Sequence, residues 1–492
     1  MQVIDIIQKQ RAFVSTGIPA TFEHRIRALN RLRHLLTSGK DRLLKAVKKD
    51  LKRPEKFTDF VELSTCLTEI DYFLANLHEW MQPEYVEKTL TTMIDSTYVI
   101  REPFGTALLI GPFNYPISLT ILPLIALIGA GNTVVFKPSE LTGNVAQVMS
   151  ELFLEHFDQD FIAVVQADAK KTAEILKERF DYICYTGSTT VGRLIMKAAS
   201  EHLTPVLLEL GGKCPVFVEP DCDLLITAKR ICWGKFMSNG QTCLSPDYLL
   251  TTRTVAQQLI PLMQRIIHEF YGMDVQQSDD YSRIINERHF DRINSLLEKT
   301  KGRVLIKSGE ANRDDLFVPP TVVEVQKSDV LMQEELFAPI LPILIVENFD
   351  EAINYLKSKE KPLATYIFTK NNQKADRLIN ETRSGSVLVN DVILNFTVDT
   401  LPFGGVGNSG YGQYRGRHGY ETFSHKKSIV KRGFFADGII SARYPPMTNN
   451  KHAALMALTT RRSLPRSMVR FLQYAPFVVF GVLLHFMFHS IF

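Results

Sequence analysis

Hydrophobic positions near the start of the chain recur every three and four residues. In HRIRALNRLRHLLTSGKDRLLKAVKKDL the leucines fall on one helical face and the basic residues on the other. Residues 1 to about 85 are predicted to be helical. The opening MQVIDIIQKQRAF carries Asp5, Lys9 and Arg11 in its first turns, so it lacks the unbroken apolar core of a signal peptide and is expected to form an amphipathic surface helix. The basic face downstream reads as a solvated helix face, with contact to acidic lipid as the alternative.

From about residue 100 the period changes. GTALLIGP, TVVFKPS, FIAVVQA and FDYICYTGS are short apolar strands, separated by the helical stretches SLTILPLIALIGA, NVAQVMSELFLEHF and KTAEILKERF. This alternation predicts a parallel sheet covered on both faces. GST then opens a further helix, TVGRLIMKAASEHL, in a Rossmann-like arrangement whose ligand lies beyond the carboxyl ends of the strands. A second α/β block follows to about residue 390, with PVFVEP, DYLLTTRTV, LPILIVENF, ATYIFTK and GSVLVN as strands. Residues 431–470 carry turn signals, YPP and TNN, and read as a surface linker.

Two apolar runs need separate readings. ISLTILPLIALIGAG, 117–131, is short and contains Pro123, which predicts a buried core helix. Residues 471–492, FLQYAPFVVFGVLLHFMFHSIF, contain no Asp, Glu, Lys or Arg. As a helix they would extend roughly 33 Å at about 1.5 Å per residue, against a bilayer core of about 30 Å. Arg461, Arg462, Arg466 and Arg470 precede the run on what would be its cytoplasmic side. A membrane anchor is expected. A terminal helix packed in a dimer or lying in the membrane interface is the alternative, favoured by Gln473, His485 and His489.

The chain of 492 residues has room for two or three domains, and 45% hydrophobic with 22% charged residues is a globular composition. A net charge of +4 gives no reason to expect nucleic acid as a partner. The six cysteines, Cys66, Cys184, Cys214, Cys222, Cys232 and Cys243, form no CxxC pair and no Cys/His ligand spacing, so no metal site is expected. Their low usage fits a reducing compartment.

Candidate chemistry clusters in short motifs. In FMSNGQTCLSPD, Cys243 follows Gly240 and small polar residues, where backbone can approach a ligand and expose a thiol. GPFNYP puts Asn114 in a loop after a strand, where its amide could donate to an oxyanion or merely close a turn. FKPSE ends a strand with Lys137 and continues to Glu140, fit for ribose hydroxyls or for a solvated turn. YTGSTTVG is not a GxGxxG fingerprint, yet Gly187 and Ser188 open a helix whose N-terminus suits a phosphate. LLELGGKCP sets Glu209 in an apolar run; desolvation there raises a carboxyl pKa and suits it to act as a base, although a structural ion pair is equally open. In QEELFAPILP, Glu335 and Phe337 stand two apart and would point to one side of an extended segment.

Together with PFGGVGNSG, 402–410, these motifs resemble the aldehyde dehydrogenase family in identity, order and spacing over about residues 100–430. The short N-terminus and TFSHKK, 422–427, resemble its class 3 branch. The hydrophobic tail resembles the microsomal, fatty aldehyde-oxidising members of that branch. The resemblance implies an α/β fold with 1–208 as helices and a Rossmann-like cofactor domain, including a dimerisation segment near 85–100. It implies an α/β catalytic domain at 209–390, a closing and dimerisation segment at 391–430, the linker 431–470 and a C-terminal transmembrane helix at 471–492.

It also implies roles. Cys243 would be the nucleophile and Glu209 the base, with Asn114 and the Cys243 backbone N–H holding the oxyanion. Lys137 and Glu140 would meet the adenosine ribose, Gly187 and Ser188 the pyrophosphate, and Glu335 the nicotinamide ribose. Phe337 would pack on the nicotinamide, and Tyr115 and Phe403 would face the substrate. The implied cofactor is NAD, since Glu140 would repel a 2′-phosphate. The implied substrate is a long-chain aldehyde, and the implied assembly a homodimer tail-anchored to the endoplasmic reticulum with its body in the cytosol. A medium-chain or aromatic aldehyde, or a non-redox cysteine acyl transfer, are the alternatives. Three positions depart from the family pattern: Ser238 and Asn239 are in swapped order, Ala338 replaces a glycine, and Arg415 follows Tyr414 where the fatty branch has histidine.

Overall fold

The computed structural model describes residues 3–89, 92, 95–434 and 437–459. The described residues divide into two compact units: one runs up to Gln82 and over Arg101–Lys426, the other takes in 83–100 and the residues from 427 on.

The first unit contains two sheets. One has the order Ile162–Val164, Thr133–Lys137, Thr106–Ile110, Tyr182–Thr186, Val206–Glu209, all parallel, with Gly410–Tyr411 added antiparallel to Val206–Glu209. The central strand, Thr106–Ile110, comes first in sequence, and later strands add on either side of it. The carboxyl ends beside that reversal are where an open parallel sheet binds its ligand. The other sheet has the order Arg303–Lys307, Thr321–Val325, Ile340–Ile345, Tyr248–Thr251, Pro215–Val218, Ala364–Phe368, Ser386–Val389; only the first pair is antiparallel. Val206–Glu209 belongs wholly to the first sheet, so the passage between sheets comes just after Glu209.

Central strands are buried on both faces, which explains their continuous apolar runs. Helix Ser118–Ala130 is apolar all round and every one of its residues is buried, Pro123 included. Five α-helices occupy the N-terminal part, as the periodicity predicts. Helix Val3–Ser15 is the expected amphipathic surface helix, with Ile6, Ile7 and Gln10 on its buried face; Gln10 Nε2 donates to the carbonyl of Val134 at 2.9 Å. The same amide also reaches the carbonyls of Gln159 at 3.3 Å and Phe161 at 3.4 Å. Arg25, on the basic helix, is also buried and donates to the carbonyl of Gly129 at 2.9 Å.

The second unit holds most of a three-stranded sheet formed by Glu84–Tyr85, Ser96–Pro103 and Ser424–Lys431. Arg432 pairs with Asp95 there, its Nε donating at 2.8 Å. Among the described residues no helix is long and apolar enough to cross a membrane. The expected anchor, 471–492, lies outside the described residues.

Candidate active site

The carboxyl edge of the first sheet supplies Asn114, Lys137, Glu140, Gly187, Ser188 and Glu209. The amino edge of the second sheet supplies the loops with Cys243, Glu335 and Phe337. Close contacts join the two edges: a Cβ on Gly211 would lie 2.0 Å from Glu335 Oε2, so glycine is what lets this carboxyl lie against the backbone.

Cys243 follows an unusual turn. Ser238, Asn239 and Gly240 all have positive φ, at 49°, 57° and 71°. Two non-glycine residues in left-handed conformation are costly, and neighbouring groups hold them. Asn239 Nδ2 donates to the carbonyl of Ser282 at 3.0 Å. Gln241 Nε2 donates to the carbonyl of Arg283 at 2.9 Å, and Gln241 Oε1 accepts from Ile285 N–H at 3.0 Å. Thus the swapped Ser238–Asn239 order is accommodated by buried partners. A Cβ at Gly240 would meet the carbonyl oxygen of Ala338 at 2.3 Å. Ala338 itself is fully buried.

Around the partly exposed thiol lie a base and a donor. The Glu209 carboxyl is buried beside the Cys243 thiol, and its Oε1 has no hydrogen-bond partner among the described residues; burial pushes Glu209 up to about 8, the neighbouring thiol pulls the other way, and the nearby Glu335 adds to the rise. Burial, then the carboxyls of Glu209 and Glu335, push the thiol well above the ordinary cysteine range. The resting thiol is therefore protonated and sits beside the group that can take its proton. Asn114 Nδ2 donates to the carbonyl of Gln241 at 3.0 Å, two residues before Cys243, which leaves its second N–H for another acceptor. Tyr115 shares a 2.8 Å hydrogen bond with Thr242 Oγ1. Phe403 is buried, edge-on to Phe396 at 4.8 Å, and bridges the backbone of Tyr414. Arg415, the replacement for the branch histidine, is buried and pairs with Glu69 at 3.3 Å.

The dinucleotide residues are spread along the same edge. Lys137 and Glu140 form an ion pair with each other. Beyond them a cavity of about 560 Å³ is lined by Pro138, Glu140, Gly143, Ala146, Gln166 and Ala167; it is not at Cys243 but farther along the same edge, past the carboxyl ends of Thr133–Lys137 and Ile162–Val164. Ser188 caps helix Thr189–Ser200, its Oγ accepting from Val191 N–H. Gly187 N–H donates to the carbonyl of Glu209 at 3.0 Å. Glu335 is pushed up to about 8 by burial and by Asp247, against the pull of the nearby Gly212 backbone N–H. The Lys137–Glu140 pair, a sizeable cavity beside it, a capped helix start and a buried carboxyl toward the thiol form a set of groups that fits an extended dinucleotide.

Glu335 and Phe337 do not share one side of an extended segment. Phe337 has φ 49°, outside the extended region, and the preceding Leu336 N–H donates to Asp247 Oδ1 at 3.0 Å. The Phe337 ring instead meets Phe113 edge-on at 5.8 Å. Sequence reasoning missed Asp247, which also pairs with Lys213 at 2.5 Å and so ties the Cys243 loop to the Glu335 segment. Its position in SPD, just past the nucleophile, was the available signal.

The sequence model of the aldehyde dehydrogenase family matches residues 2–429. Aldehyde dehydrogenase family 3 member A2 of Mus musculus is 44% identical over 91% of this chain and 92% of its own. The dimeric, NADP-preferring aldehyde dehydrogenase of Mus musculus is 42% identical over 90% of this chain and 98% of its own. The structure described as the substrate-bound state of Staphylococcus aureus AldH superimposes with a TM-score of 0.89 at 36% identity, covering 93% of this chain and 99% of that one. With a thiol, a base and an amide donor gathered beside a dinucleotide-shaped edge, the chain belongs to the aldehyde dehydrogenase family, whose members oxidise aldehydes with a nicotinamide cofactor.

Proposed function

We propose that this chain oxidises long-chain aliphatic aldehydes to carboxylic acids, using NAD and Cys243. The observation that carries the reaction is the Cys243 thiol set beside the buried Glu209 carboxyl, with Asn114 donating to the carbonyl of Gln241 two residues before the thiol. Glu209 takes the thiol proton as sulfur adds to the aldehyde carbon. The oxyanion of the thiohemiacetal is held by Asn114 Nδ2 and the Cys243 backbone N–H. When bound, the nicotinamide supplies the hydride acceptor. Glu209 first gives up the thiol proton to solvent; it then takes a proton from the water that cleaves the thioester, the acid leaves, and the same proton returns to the expelled thiolate. Tyr115 and Phe403 wall the approach.

Lys137, Glu140, Ser188 and Glu335 would hold the dinucleotide. The Glu140 carboxylate beside the cavity favours NAD over NADP, since a 2′-phosphate there would meet like charge. The long-chain preference rests on the apolar stretch 471–492. Each methylene contributes about 0.8 kcal/mol to partitioning into lipid, so long aldehydes concentrate where an anchored enzyme meets them. A tail-anchored location with a cytosolic body, at the endoplasmic reticulum, follows from the same reading. A homodimer is supported by the exposed Tyr85, Val86, Val430 and Phe434 of the second unit.

The test is NADH formation from a long saturated aldehyde, with Cys243→Ser in parallel. NADH from the wild type alone supports reaction, cofactor and nucleophile. Aldehyde turnover that needs no cofactor would replace oxidation by acyl transfer.

A further inference from the structure

Arg53 and Glu62 are both fully buried and form an ion pair. Neither belongs to a motif that carries the chemistry. Arg53 lies just after helix Lys40–Leu51, and Glu62 in a single π-helical turn, Asp59–Leu63. Such turns are frequent at functional sites. A buried ion pair is a weak source of stability, because apolar side chains of similar volume do as well. What distinguishes this pair is what it touches.

Glu62 Oε2 accepts from the backbone N–H groups of Ile117 at 2.8 Å and Ser118 at 2.9 Å, pinning the end of the Asn114 loop. Arg53 Nη1 donates to the backbone carbonyl of Asn114 at 2.7 Å and reaches Ser238 Oγ at 3.4 Å. Its guanidinium carbon stands 4.8 Å over the Tyr115 ring. Nε donates to Thr58 Oγ1 at 3.2 Å. Two residues earlier, the Leu51 carbonyl accepts from Arg283 N–H at 3.1 Å, and the Arg283 carbonyl in turn holds Gln241. One rigid fork of donors thus links the two pieces of chain that flank the thiol: the Asn114 loop and the left-handed turn leading to Cys243.

We propose that the Arg53–Glu62 pair is a positioning element for the reaction, setting the Asn114 amide against Cys243 without touching the substrate. This rests on the reading of Asn114 as oxyanion donor. The direction of an amide held by its own backbone carbonyl changes when that carbonyl loses its partner. Displacements of the order of an ångström at a reacting centre are costly in rate.

A double-mutant cycle on the full-length enzyme tests it. kcat/KM for a saturated aldehyde is measured for wild type, Arg53→Met, Asn114→Ala and the double variant, with NADH affinity by fluorescence titration. Expected is a loss of about tenfold or more for Arg53→Met, with NADH affinity retained. In the Asn114→Ala background the same substitution should cost less than about twofold. Should Arg53→Met fail to fold, Glu62→Gln enters the same cycle; it keeps an acceptor for Ile117 and Ser118 but removes the charge that fixes Arg53. A loss that persists in full without the Asn114 amide overturns the proposal while leaving the oxyanion reading intact. Wild-type activity in Asn114→Ala itself would remove that reading, and the proposal with it.

Discussion

Two carboxyls near the nucleophile, Glu209 and Glu335, are each pushed up to about 8, principally by burial. For Glu209 the sign is set by the raised value. Between 4.5 and about 8 the folded protein keeps a proton that the unfolded chain has lost, so stability falls as pH rises through that window. Glu209→Gln should therefore have a higher thermal midpoint than wild type near the top of the window and an equal one below it, as scanning calorimetry would show. Equal midpoints throughout would mean that the carboxyl is not held protonated. The same substitution should lower turnover by about 10²-fold or more, the scale of a general base. It should also remove the rise in activity through the Glu209 titration. At the cofactor end, Glu140→Gln should raise kcat/KM with NADP relative to NAD; an unchanged ratio would assign cofactor choice elsewhere. Cys243, Glu209 and Asn114 were legible because motif order identified them. Arg53 and Glu62 were not: in KRPE and DFVEL they look like surface charges, and only the fold reveals that both face inward.

The turn over Ser238–Gly240 is the element most dependent on one residue. Gly240→Ala would incur about 1–2 kcal/mol for left-handed backbone and about 1–3 kcal/mol for overpacking against the Ala338 carbonyl. Denaturant unfolding should show a loss in that combined range, with activity falling further because Cys243 follows directly. A loss below about 0.5 kcal/mol, the scale of an ordinary surface substitution, would show that the backbone relaxes freely. Apolar runs revealed the strands buried on both faces, such as Thr133–Lys137 and Ala364–Phe368. The pattern hid Arg303–Lys307, an edge strand with exposed residues, and Thr321–Val325, interrupted by Glu324. Phe337 was misread because its backbone leaves the extended region, at φ 49°, next to a Leu336 N–H held by Asp247, far away in sequence. Local periodicity carries no trace of such a bond.

At the scale of the molecule, the site exists only where two sheets meet edge to edge, so neither half is reactive alone. Removing 471–492 should shift the protein from the membrane to the soluble fraction with NADH formation on a short aldehyde retained. A truncated protein still on membranes would end the anchor reading. The α/β class, both blocks and the helix Val3–Ser15 were legible in the sequence; the burial of Gln10 on that helix was not, since one glutamine on a helix face looks like any surface residue. The order in which the chain is made adds a final consequence. Val206–Glu209 gains its outer neighbour, Gly410–Tyr411, only after the whole second sheet has been synthesised, and Phe403 arrives on the same late segment. A nascent chain lacking that segment carries an open strand edge beside Glu209, a surface prone to mispairing. The strand that ends at Glu209 thus stays unpaired on one side until the last part of its unit has been made.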